Sequence, residues 1–141
     1  MKILPVDIDD LILVLDSNGM EFHLDLETGE IRLRPEDDLD EEFEQLLERQ
    51  PQRFLYIEPV SSRDGFRIME DFVREKVDDP RASDSLVRAL EDRKPFRSFK
   101  DRLFDYPEIR EEWFRYHDER LRQLALEWLA EEGIGLPQST D

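Results

Sequence analysis

The sequence predicts an α+β fold: a small antiparallel sheet, made of a hairpin and a third short strand, with an N-terminal helix before it and a helical C-terminal half after it. Three observations carry this. From Met20 to Leu26 apolar and polar residues alternate strictly, the period of a strand with one dry face. Glu27-Thr28-Gly29 then turns the chain into a return strand on which Ile31 and Leu33 continue the apolar face. Beyond Pro59 the apolar residues change to helical spacing and keep it as far as Gly133. The chain has 141 residues, and Leu, Ile, Val and Phe make up about 30% of it, above the roughly 20% below which highly charged chains stay disordered. A single domain over residues 1–134 follows, with a frayed tail at 135–141.

The first element has two readings. Ile8, Leu11, Ile12 and Leu15 form a helical stripe with Asp7 as N-cap and acids in the first turn. Leu-Ile-Leu-Val-Leu before Asn18-Gly19 also suits a buried strand entering a hairpin. The helix is preferred. In the hairpin, Met20, Phe22, Leu24 and Leu26 face one way and Glu21, His23 and Asp25 the other, which makes the second face polar. Leu39, Phe43, Leu46 and Leu47 put an apolar stripe on an acidic helix stopped by Pro51, and Arg53–Ile57 is the third strand. Ser61 and Asp64 have capping-box spacing ahead of a helix that buries Phe66, Met69, Phe72 and Val73. Asp79-Pro80 starts a helix carrying Leu86, Val87 and Leu90. Phe96, Phe99, Leu103 and Phe104 line a shorter helix. Pro107 opens the longest, with Ile109, Trp113, Leu121, Leu124, Ala125, Trp128 and Leu129 inward.

Charge narrows the function classes. With 37 acids against 20 bases the net charge is −17, so the mean field repels nucleic acid and anionic membranes. Residues 1–58 carry −12 of this and residues 59–141 only −5. No apolar run approaches the roughly 20 residues of a membrane span, and the N-terminus lacks a signal layout, so a soluble cytoplasmic protein is expected. The absence of cysteine removes disulfides, thiolate metal sites and Cys nucleophiles.

The motifs of chemistry are sparse. His23 and His117 are the only histidines, and neither has a partner at a metal-ligand spacing; His117 reads as a packed structural side chain. Seven of the nine residues Glu36–Glu44 are carboxylates, but Phe43 and Leu46 already set a helical stripe there, so a solvated helix face explains the run better than a calcium loop. Ser61-Ser62 and Ser83-Asp84-Ser85 sit where capping accounts for them. No nucleophile elbow or phosphate loop occurs among the five glycines. No catalytic residue, metal or cofactor is assigned, and a non-enzyme is the expectation.

One region is locally basic. Residues 88–102 hold six bases against three acids, and Arg97 lies three residues before Lys100 on the helix from Pro95. With Arg63 and Arg67 on an earlier helix and Arg115 on the last, these are the candidate anion-binding residues, provided the helices bring them together. Internal salt bridges are the plainer explanation, since Glu70 is three residues from Arg67 and Asp101 four from Arg97.

Ser61-Ser62-Arg63-Asp64-Gly65-Phe66-Arg67-Ile68-Met69-Glu70-Asp71-Phe72, then Phe96-Arg97-Ser98-Phe99-Lys100-Asp101, then Glu111-Glu112-Trp113-Phe114 with Arg120-Leu121, resembles an uncharacterised bacterial protein family of the UPF series. The resemblance covers nearly the whole chain, supports a helix at residues 8–15, and implies no activity, substrate or catalytic residue. The functional expectation is therefore a non-catalytic interaction or regulatory module that binds another protein. The alternative is a binder of nucleic acid or a phosphorylated ligand through Arg63, Arg67, Arg97, Lys100 and Arg115.

Overall fold

The computed structural model describes residues 2–35 and 40–137 and contains six helices and five strands among them. Glu36, Asp37, Asp38 and Leu39, the front of the acidic run and of its apolar stripe, lie outside the described residues, as do the last four residues of the tail. The chain forms two compact units, Met1–Pro59 with Leu121–Asp141, and Val60–Arg120.

In the first unit, α1 (Ile8–Leu15) is a helix, capped by the Asp7 carboxylate accepting from the Asp10 N–H at 3.1 Å. Leu11, Ile12, Val14 and Leu15 are buried while Leu13 faces out, which is the helical spacing rather than the strand one. The hairpin is β2 (Glu21–Asp25) with β3 (Ile31–Arg34), and β4 (Phe54–Ile57) adds to the other side of β2, all antiparallel. Gly29 closes the turn at φ +82°, where a Cβ would also come within 3.0 Å of Pro5, so only glycine suits it. A second pairing has no sequence signal: β1 (Lys2–Ile3) runs parallel to β5 (Ile134–Gly135), so residue 135 ends a strand. Two-residue strands are too short to show alternation.

The register corrects the reading of the hairpin's polar face. Opposite residues put His23, Arg32 and Tyr56 on one face together with Asp25 and Phe54. Onto this face packs α2 (Glu41–Arg49), whose Phe43 ring is fully buried, 6.0 Å from His23 and 5.2 Å from Phe54. The charges there are bound rather than solvated. Arg34 donates to Glu44 at 2.7 and 2.8 Å and to Glu21 at 3.0 Å, and the His23 Nε2–H donates to Glu21 at 2.7 Å. Asp25, 1% exposed, accepts two hydrogen bonds from Arg53 at 3.0 and 2.8 Å and one from the Glu27 N–H at 2.9 Å.

The second unit is helical. α3 (Ser62–Lys76) is capped by the Ser61 hydroxyl and α4 (Pro80–Leu90) by Asp79, so Ser83 and Ser85 lie inside α4 and are not its caps. α5 (Pro95–Leu103) follows, and α6 (Pro107–Glu131) gives its first part to this unit and its last part to the other. Phe72 packs 5.3 Å from both Trp113 and Tyr116, and Phe99 lies 4.9 Å from Trp113, joining α3, α5 and α6 around one aromatic cluster. His117 stacks on Trp113 at 5.0 Å, as a packed side chain. Phe96 and Phe104, read as inward-facing, are 38% and 63% exposed, because Phe99 and Leu103 already fill the buried side of α5.

Burial alone would push the Asp25 carboxyl up, but the Arg53 and Glu27 hydrogen bonds together hold it below the usual carboxylate range. Its contribution to stability is complete above the unfolded-state value of about 3.9 and is lost as pH falls through the lower folded-state value. Asp25→Ala leaves the half-buried Arg53 guanidinium with only the more exposed Glu27, at 3.3 Å, and costs about 3 kcal/mol at pH 7, measured by urea unfolding. The stability gap between wild type and Asp25→Asn narrows as pH falls below about 4; a gap constant down to pH 2 would contradict the assignment.

Candidate functional site

The second unit carries an open groove of ligand size among its described residues. The three-residue link Val77–Asp79 joins α3 to α4, and the two helices pack against each other. Phe66, Glu70, Val73 and Val77 recur at i, i+4, i+7 and i+11 along one side, and Ser83, Val87, Leu90 and Glu91 at i, i+4, i+7 and i+8 along the other. Between these rows lies an open groove of about 460 Å³. From Phe66 to Val77 it runs about 16 Å, the length of three helical turns. The α3 row overlaps the core, since Val73 and Val77 are 5% and 8% exposed, whereas on α4 Ala82, Leu86 and Ala89 are buried and Val87 is 42% exposed. Val87 and Phe66, read from sequence as core, are groove wall.

The rim is acidic in effect. Arg74 lines the groove but is bound to Asp71 at 2.8 Å and to Glu75 at 3.8 Å. Those two acids are also committed elsewhere: Arg120 donates to Asp71 at 3.0 Å and to the Tyr116 hydroxyl at 2.7 Å, and that hydroxyl donates to Glu75 at 2.9 Å. Burial would raise the Asp71 carboxyl, yet Arg120 and Arg74 hold it below its ordinary range, while burial and Glu75 push the Tyr116 phenol up. Glu70 and Glu91, both exposed on the rim, have no ion pair or hydrogen bond to their carboxylates among the described residues. The floor is apolar and the free charge on the rim is negative.

The five basic residues singled out in sequence come from three helices, α3, α5 and α6. All are exposed, and among the described residues none forms an ion pair, so the expected bridges of Arg67 with Glu70 and Arg97 with Asp101 are not made. Arg63 and Arg67 share a side of α3. Gly65 is the residue of α3 that approaches α5, its Cβ position 3.3 Å from the Phe96 ring, so Arg63 and Arg67 stand about 160° round the helix from α5 and its Arg97 and Lys100. Arg115 leaves α6 about 160° round from Trp113 and about 100° from Tyr116, the two α6 residues of the aromatic cluster. Sequence reasoning missed Glu70 and Glu91 as site residues. The signal available was Val87 and Leu90 on α4, offset from the buried Ala82, Leu86 and Ala89 and next to Glu91.

A family model described as an uncharacterised protein family, UPF0158, matches residues 2–139. A UPF0158 protein of Pseudomonas aeruginosa is 42% identical over 134 residues, which cover 95% of this chain and 87% of that protein. UPF0158 proteins of Chlamydia trachomatis and Chlamydia muridarum are 27% and 26% identical over 111 residues, 79% of this chain but 32% and 31% of those longer proteins. No solved structure matches the chain. Among the described residues no helix is long and apolar enough to cross a membrane.

Because the basic residues are exposed and unpaired, the double variant Arg97→Glu/Lys100→Glu shifts the melting temperature by less than about 2 °C. A loss of 5 °C or more in a thermal scan would mean that these cations hold the helices together after all.

Proposed function

The chain belongs to the uncharacterised protein family UPF0158, and we propose that it is a non-catalytic interaction module whose α3–α4 groove receives an amphipathic helix of a partner protein. The observation that carries this reading is an open apolar groove bordered by carboxylates that nothing in the described residues neutralises. An enclosed small-molecule site has a few polar groups converging on one point within an apolar cavity. Here Phe66, Val73 and Val77 from one helix and Val87 and Leu90 from the next line an elongated open groove, which suits the i, i+3, i+4, i+7 face of a helix. Glu70 and Glu91 then select a helix with Lys or Arg beside its apolar face. The net charge of −17 assists by steering a cationic partner toward the surface.

Binding of nucleic acid or a phosphorylated ligand through Arg63, Arg67, Arg97, Lys100 and Arg115 is the weaker reading. The cations come from three helices with nothing seen to hold them together, and the mean field opposes a polyanion.

A designed helical peptide with a leucine face flanked by lysines is the test. It binds the protein saturably in an NMR titration and shifts Val73, Val77 and Val87. Glu70→Lys/Glu91→Lys weakens it at least tenfold and allows the glutamate-flanked version of the peptide to bind instead. Val87→Asp abolishes both. Shifts confined to Arg97, Lys100 and their neighbours, or no saturable binding at all, would remove the groove from consideration.

A further inference from the structure

The half-buried arginines of this protein are used consistently, with one exception. Six described arginines are half-buried: Arg32, Arg34, Arg53, Arg110, Arg120 and Arg122. Five of them reach a carboxylate, Arg32 at 3.9 Å and the others at 2.7–3.0 Å. Arg110 has no ion pair and no side-chain hydrogen bond among the described residues. It is held by aromatic rings instead, its guanidinium carbon 4.6 Å from the centroid of Phe104 and 4.9 Å from that of Phe114.

The helix explains how this arises in so acidic a chain. Arg110 lies in the first turns of α6, where the side chains within its reach are those three and four positions away. These are Tyr106, Pro107, Trp113 and Phe114, none of them acidic. Glu108, Glu111 and Glu112 are near in sequence but leave the helix in other directions. Stacking restrains the long side chain and covers its flat surface, while the N–H groups at the edge of the plane stay free. Such a fork matches the two oxygens of a carboxylate, and fixing it beforehand removes part of the entropy cost of binding. Beside it Phe104 and Phe114 are 63% and 52% exposed, so apolar surface adjoins the free guanidinium.

We propose that Arg110, with Phe104 and Phe114, is a receptor for a carboxylate carried on an apolar segment of a partner protein. The site is independent of the α3–α4 groove and opposite to it in charge preference. A single guanidinium flanked by phenyl rings suits one carboxylate among apolar side chains. A polyphosphate would meet the field of a chain at −17 with one cation to hold it. Aromatic residues and arginine are also the side chains that dominate binding energy where proteins meet.

The test is a random short-peptide library selected on the wild-type protein and counter-selected on Arg110→Gln. The retained peptides carry Asp, Glu or a free C-terminal carboxylate next to aromatic or aliphatic residues. Their affinity falls at least tenfold with Arg110→Gln, with Phe104→Ala/Phe114→Ala, and when the peptide's own Glu is changed to Gln. Arg110→Lys, which keeps the charge and loses the planar fork, also weakens them, and Glu70→Lys/Glu91→Lys does not. Melting temperatures of the variants confirm that each is folded. If no peptide separates wild type from Arg110→Gln, if those that do lack a carboxylate, or if millimolar inorganic phosphate displaces them, the proposal is overturned.

Discussion

Asp25 is almost wholly out of water, and it keeps its charge because Arg53 reaches it from the edge of the next strand with two N–H groups while the Glu27 backbone donates a third. A buried carboxylate without such partners would be destabilising by several kcal/mol, on the order of the whole margin that keeps a domain of this size folded. The same requirement recurs through an acidic chain. Arg34 binds Glu21 and Glu44 and so ties α2 to the hairpin. Arg120 binds Asp71 and so ties α6 to α3. In both units the carboxylates drawn toward the interior are met by arginine, whose planar fork can satisfy two oxygens at once.

Against that background the unpaired groups stand out. Glu70 and Glu91 flank a groove whose own arginine is already engaged, and Arg110 rests on phenyl rings with no carboxylate in reach. One site offers negative charge around an apolar channel, the other a positive charge beside exposed rings. Each is an incomplete version of a pairing that the protein completes elsewhere within its own chain. Both proposed contacts rest on these incomplete pairings, with distinct chemistry at two places on one unit.

Much of the fold was legible because period and punctuation agree with it. The alternation from Met20, the Thr28-Gly29 turn, the caps at Asp7, Ser61 and Asp79, and Pro95 and Pro107 at helix starts all mark real boundaries. The β1–β5 pairing was not legible, since two residues carry no period. Nor was the use of the hairpin's polar face. Alternation shows that His23 and Asp25 share a side, but the register with β4 and the docking of Phe43 are what bury that side. The candidate site was hidden for a related reason. Phe66, Val87, Phe96 and Phe104 have the spacing of core residues, and spacing alone does not tell a row that meets another helix from one left at the surface.

The sequence by itself determined the class of fold, the order of its principal helices and strands, the acidic balance and the family. The fold class, the element order and the acidic balance follow from local preference and composition, which act over a few residues at a time, and the family from the resemblance of three motifs. Only the tertiary structure decided which apolar rows were covered and which charges found partners. That outcome depends on the finite space around each packed side chain: Phe72, Trp113 and Phe99 fill the interior of the helical unit, leaving Val87, Phe104 and Phe114 as surface. It depends equally on the reach of each arginine, which brings Arg53 to Asp25 across 28 residues of chain and leaves Arg110, among its many acidic neighbours in sequence, with none.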